Sequence, residues 1–215
     1  MDLITITDPR SPVSEAYRSL RTNLSFYSLD DPIQTLVVVS PAEDKHQSET
    51  VANLAVSMAQ SGKRTILVDC DLRRPSLHTI FDVKAEPGLT NVILEDSDAL
   101  PLQDTGVENL RLLPSGTQPP NPADLLGSKK VDNLIATLQE QADIILFDAP
   151  PVTAVTDAAV LGAKVDGVLL VINAGKTKRD HAERAKSLLE TAKVRIIGAT
   201  LINAPKDSTV GSYYG

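Results

Sequence analysis

The chain has 215 residues, 42% hydrophobic and 23% charged, enough to bury one α/β core and too few for two comfortable ones. Its formal charge of −7 and pI near 5.0 argue against nonspecific nucleic-acid binding, and no nucleic acid is expected as a partner. No apolar run approaches the roughly 20 residues that span a bilayer, and the N-terminus MDLITITDPR lacks the charged-then-apolar layout of a signal peptide. The one cysteine, Cys70, excludes an internal disulfide and fits a reducing, cytoplasmic setting. Neither CxxC nor HExxH occurs, so a structural zinc site has little support.

Ser11, Pro12 and Glu15 are helix-start signals and predict a helix over residues 11–28, with Tyr17, Leu20 and Leu24 forming an apolar stripe. Glu15, Arg18 and Arg21 recur every third residue, which reads either as a solvated face with local ion pairs or as a docking surface. A strand follows over Thr35–Ser40, then a loop and a helix from about Glu49 to Ser61 closed by a left-handed Gly62. RTILVD (Arg64–Asp69) is a continuous apolar strand ending in a carboxylate. Short helices near Leu77–Phe81 and Leu89–Leu94 and a strand over Asn109–Leu113 come next.

A Pro-rich connector leads to a short helix over Pro122–Leu126 with Asn121 as cap. Lys129–Gln141 reads as an amphipathic helix with Val131, Leu134, Ile135 and Leu138 on its apolar face. DIILFD (Asp143–Asp148) repeats the pattern of an apolar strand ending in aspartate. Helix (about Thr156–Ala163), strand (Gly167–Ile172), helix (about Arg179–Thr191) and strand (Arg195–Asn203) complete the alternation, and a mobile tail is expected over 204–215. Continuous apolar strands alternating with helices predict an α/β, three-layer αβα sandwich with a mostly parallel sheet, in a single domain over 1–215.

The stretch Val37–Ala55, VVVSPAEDKHQSETVANLA, runs from strand through loop to helix, the arrangement that gathers loop N–H groups and a helix dipole on a phosphate. The usual loop ends in Gly-Lys-[Ser/Thr], whereas His46, Gln47 and Ser48 stand here. In open α/β sheets the ligand crevice lies beyond the strand C-termini, where Asp69 and Asp148 would also point. Either aspartate alone could cap the following turn; together with Asp71 they favour a magnesium-nucleotide site.

Six ordered segments, among them EAYRSLRTN, SETVANLAVSMAQSGKRTILVDCDLRRPSLH, EPGLTNVI and DIILFDAPPVTAVTDA, resemble the cytoplasmic domain of bacterial tyrosine kinases of capsular and exopolysaccharide synthesis, from about Ser11 to Asn203. The resemblance implies a Walker A loop over Glu43–Glu49, with Asp44, Lys45, His46, Gln47, Ser48, Glu49 and the strand-end Asn203 as cofactor-binding residues. It implies Asp69, Asp71 and Asp148 as catalytic residues, and Ser48, Asp71 and Asp148 as magnesium ligands. Glu15, Arg18 and Arg21 match the family's ring-forming motif, and Tyr213 and Tyr214 are candidate phospho-acceptors. ATP and magnesium are the implied cofactors if the site works. A homo-oligomer and a membrane polysaccharide co-polymerase, a chain-length regulator, are the implied partners.

The departures carry equal weight. Asp44 and His46 replace the loop glycines and Gln47 replaces the lysine that neutralises phosphate oxygens, while Asp44 and Glu49 add negative charge. Lys45 stands two residues from the lost lysine, and His46 could donate as a cation only when protonated, so neither restores the cradle. The sequence therefore predicts a pseudokinase that regulates or scaffolds polysaccharide synthesis, with impaired ATP binding. An active autophosphorylating tyrosine kinase is the alternative, and a MinD/ParA-like positioning ATPase, which would need a KGGxGK loop, comes last.

Overall fold

The computed structural model describes residues 2–27, 33–95 and 99–204. Seven strands form one sheet: β1 (Thr35–Val39), β2 (Thr65–Asp69), β3 (Gln103–Asp104), β4 (Leu110–Leu113), β5 (Ile144–Asp148), β6 (Gly167–Asn173) and β7 (Ile196–Ile202). Their order is β3-β4-β2-β5-β1-β6-β7. All pairs are parallel except β3 with β4. Every residue of β1, β2 and β5 is buried, because helices cover both faces and leave no side for polar alternation.

One face carries α1 (Ile4–Thr7), α2 (Pro12–Tyr27), α3 (Gln47–Gln60) and α4 (Leu77–Phe81). They pack on Leu36 and Val38 of β1, Leu67 of β2 and Leu146 of β5. The other face carries α5 (Leu89–Glu95), α6 (Pro122–Gly127), α7 (Lys129–Gln141), α8 (Asp157–Gly162) and α9 (Arg179–Thr191). There Val37, Val39, Ile66, Val68, Ile145 and Phe147 meet Leu126, Leu138, Leu161 and Leu189. The expected three-layer, mostly parallel α/β fold is present, and Val131, Leu134, Ile135 and Leu138 of α7 all face the core. No helix among the described residues is long and apolar enough to cross a membrane.

Ser11 accepts the Ser14 N–H at 3.2 Å, as expected of a cap, and Gly62 has φ +88°. α3 runs Gln47–Gln60, within two residues of the expected bounds, and its first side chain, Gln47, is buried. Elsewhere the local signals misled. Asn121 makes no side-chain cap bond; Pro122 at the first helical position, which has no N–H to satisfy, opens α6 instead. α1 and β3, of four and two residues, are too short to carry a periodic signal.

α1 is fastened to α3 by a fully buried amide. Asn53 Oδ1 accepts the Thr5 N–H at 3.1 Å and the Thr5 hydroxyl at 2.9 Å, while its Nδ2 donates to the Glu49 carbonyl at 2.9 Å. Replacing Asn53 by Ala strands the buried Thr5 donors, so urea unfolding should show a loss of about 1–3 kcal/mol. An unchanged midpoint would mean that α1 is not held by this contact.

Candidate functional site

Because β5 lies between β2 and β1, three chain segments leave the sheet side by side at its C-terminal edge. Asp69 and Asp148 are register partners on β2 and β5, and the loop from β1 to α3 lies beside them. Glu43, Asp44, Lys45, Gln47, Ser48, Asp71, Arg73 and Arg74 line a cleft of about 380 Å³, closed on one side by Pro150 and Pro151. The fold thus brings the expected loop residues and acids to one place.

Gln47 does not face the cleft as a free side chain. Its Oε1 accepts the Ser40 N–H at 2.8 Å and lies 2.6 Å from the Ser40 hydroxyl. Its Nε2 donates to Asp148 Oδ1 at 2.7 Å and to the Ala149 carbonyl at 2.6 Å. Since the Ser40 N–H can only donate and the Ala149 carbonyl can only accept, the network fixes the orientation of the amide. The end that would have to reach a phosphate is spent on the ends of β1 and β5.

Asp44 is similarly engaged: its Oδ1 accepts the His46 N–H at 2.9 Å and its Oδ2 accepts Asn173 Nδ2 at 2.6 Å. Asn203 Nδ2 donates to Asn173 Oδ1 at 3.2 Å, so Asn203 reaches the loop only through Asn173. The His46 ring lies 3.4 Å from Glu49, whose side chain is 49% exposed. Lys45 is exposed at the cleft and forms no ion pair among the described residues.

The acids divide their oxygens. Asp69 Oδ2 accepts the N–H groups of Ser76 and Leu77, each at 3.0 Å, so the turn-capping reading of this residue holds for one oxygen. Asp69 Oδ1 and Asp148 Oδ2 are buried with no hydrogen-bond partner among the described residues. Burial, then the charge of Asp148, holds the Asp69 carboxyl well above the usual range against the pull of those two N–H groups. Burial also pushes Asp148 up to about 7, opposed by hydrogen bonds from Ser48 and Gln47. Asp71 Oδ1 accepts the N–H groups of Arg73 and Arg74, at 3.3 and 3.0 Å, and desolvation raises it too. Cys70, between these acids, is buried and its thiol is pushed up by burial first, so it is a packing residue.

Sequence reasoning missed several contributors. Arg73 makes a two-pronged pair with the fully buried Asp157, at 2.8 and 3.1 Å, pinning the loop that carries Asp71 to α8. Arg74 pairs with Glu43 across the cleft mouth. Ser40 and Asn173, the polar residues that end two apolar strand runs, were the available signals for the Gln47 and Asp44 networks. On α2, Arg18 pairs with Glu15 at 2.5 Å and Arg21 donates to the Ser57 carbonyl at 2.7 Å, both within the chain. Tyr213 and Tyr214 lie outside the described residues.

Two orphaned carboxylate oxygens and the Ser48 hydroxyl suit a water-ligated magnesium ion, although among the described residues no group of three or more His, Cys, Asp or Glu side chains gathers to hold a metal. The loop lacks the groups that ordinarily cradle a triphosphate. Both glycine positions carry side chains, the lysine position holds a neutral amide already bound elsewhere, and a carboxylate holds a loop N–H. No chemical step through ATP follows from this arrangement.

The raised carboxyls set a sign for pH dependence. Asp69 and Asp148 ionise less readily folded than unfolded; the contribution of Asp148 to stability is full below about pH 4 and is lost as pH rises through about 7, and that of Asp69 has the same sign. Asp148→Asn keeps an acceptor for Gln47 and removes that ionisation. In metal-free denaturant titrations the variant should gain on wild type between pH 5 and pH 8; an equal difference at both pH values would exclude the buried pair as the source.

A family model described as ParA: NUBPL iron-transfer P-loop NTPase matches residues 34–203. Tyrosine-protein kinase YwqD of Bacillus subtilis (strain 168) is 41% identical over 213 residues, covering 99% of this chain and 90% of that one. Putative tyrosine-protein kinase CapB of Staphylococcus aureus is 37% identical over 209 residues, covering 96% and 91%. The crystal structure of the chimerical protein CapA2B2 superposes with a TM-score of 0.90 at 36% identity, over 95% of this chain and 90% of that one. Matched along nearly its whole length, the chain belongs to the bacterial tyrosine-kinase family of capsule and exopolysaccharide synthesis, a branch of the ParA-like P-loop NTPases.

Proposed function

We propose that this kinase-like domain regulates or scaffolds capsule or exopolysaccharide synthesis with its own ATP turnover impaired. The observation that carries the reading is Gln47, a neutral amide at the position of the phosphate-binding lysine, bound to Ser40, Asp148 and Ala149. Unit charges about 4 Å apart near a protein surface interact by about 4 kcal/mol at an effective dielectric of 20. Losing the lysine and gaining Asp44 therefore outweighs the roughly 1.5–3 kcal/mol that one hydrogen bond to a charged phosphate contributes. Glu49 adds little, being half exposed and screened.

An active autophosphorylating kinase using ATP and magnesium is the second reading, and the kinase names of the relatives favour it over the first. Ser48, Asp71 and Asp148 would then ligate magnesium and Asp69 with Asp71 would serve the tyrosine hydroxyl. Under the first reading the same acids are structural. A positioning-ATPase role would need a KGGxGK loop, which the sequence does not contain.

The purified domain with Mg-ATP should form no phosphotyrosine, and Asp44→Gly, His46→Gly and Gln47→Lys together should raise Mg-ATP affinity by at least about tenfold, or 1.4 kcal/mol. Phosphotyrosine formed by wild type at a rate comparable to its relatives would establish the second reading instead. A scaffold also needs a partner surface, for which we propose Glu15, Arg18 and Arg21 on α2, joining copies of the chain, beside a membrane co-polymerase. Light scattering should find an oligomer for wild type and a monomer for the triple alanine variant; monomers for both would reject this surface.

A further inference from the structure

Asp44 differs from the other acids of the cleft in how its two oxygens are used. One accepts the N–H of His46, the residue that precedes α3. The other accepts the side-chain amide of Asn173, which lies 129 positions along the chain at the end of β6. A local turn explains the first contact, since aspartate often accepts the N–H two residues on. It does not explain the second, which spans the cleft edge at 2.6 Å.

Asn173 is itself held in place. Its N–H donates to the Thr177 hydroxyl at 3.0 Å, its Oδ1 accepts from Asn203, and the Ala174 N–H donates to the Ile202 carbonyl at 2.9 Å. The amide that meets Asp44 is therefore braced by β7 and by the loop into α9. We propose that Asp44 is a built-in anion: its carboxylate takes the loop N–H that an external phosphate would need, and Asn173, braced by Asn203, latches it there. The chain thus carries an autoinhibitory contact against ligands of the phosphate class, independent of the loss of the lysine.

The inference deepens the proposed reading of weakened phosphate binding at this loop, and its test separates from the test of that reading. Inorganic pyrophosphate with magnesium is titrated calorimetrically into wild type and into Asp44→Asn, which keeps the shape and removes the charge. The variant should bind at least about tenfold more tightly; equal affinities, or binding by neither, overturn the proposal. Should Asp44→Asn fail to fold, Asn173→Ala carries the test, with the His46 amide exchanging with solvent deuterium at least about tenfold faster than in wild type. Unchanged exchange overturns the latch. Phosphotyrosine formation by wild type reports on the preceding reading alone, because this inference depends only on the ratio of variant to wild type.

Discussion

Two carboxylates end neighbouring strands in fully buried positions, and the C-terminal edge of the sheet has to accommodate them. Asp69 and Asp148 are paired in register, each with one oxygen that no group among the described residues satisfies. Burial makes their joint ionisation costly. The surrounding groups each ease that cost: the N–H groups of Ser76 and Leu77 on Asp69, and Gln47 Nε2 on Asp148. α3 starts where it does because Gln47 must stand over Asp148, and α4 starts where it does because Asp69 collects its first N–H groups.

That constraint explains which parts of the molecule could be read in advance. Strands such as TILVD and IILFD were legible because a parallel sheet buried on both faces demands uninterrupted apolar residues, and α7 because four apolar side chains recur at helical spacing. The strand-end aspartates were legible for the same reason, as the sole charges closing apolar runs. The hydrogen bonds of Gln47 and Asp44 were not. They join residues 101 and 129 positions apart, and such pairings depend on strand order, which a local pattern does not encode.

Helix α2 shows a different limit. Glu15, Arg18 and Arg21 form a recognisable spacing, yet the fold gives all but Glu15 an intrachain carbonyl partner: Arg18 reaches the Pro9 carbonyl at 2.8 Å and Arg21 the Ser57 carbonyl at 2.7 Å. Arg21 therefore tethers α2 to α3, the helix that begins at the phosphate loop. A surface used between copies would be mechanically continuous with the loop through this contact, so that assembly and loop position share one element without any nucleotide between them.

The substitution of lysine by glutamine reads differently once its partners are counted. A lysine ammonium only donates, so at position 47 it could bond to Asp148 and Ala149 but would leave the Ser40 N–H facing a cation. A glutamine amide both donates and accepts, and it satisfies the ends of β1 and β5 together. An ordinary phosphate loop is completed by its ligand, whose oxygens take up the loop N–H groups and the lysine charge. Here Gln47 supplies the neutral bridge and Asp44 the anion from within the chain. The resting loop thus holds, from its own side chains, one bridge and one anion that a nucleotide loop ordinarily gains from lysine and ligand, which is what the proposed scaffold role needs if its shape is not to depend on ATP.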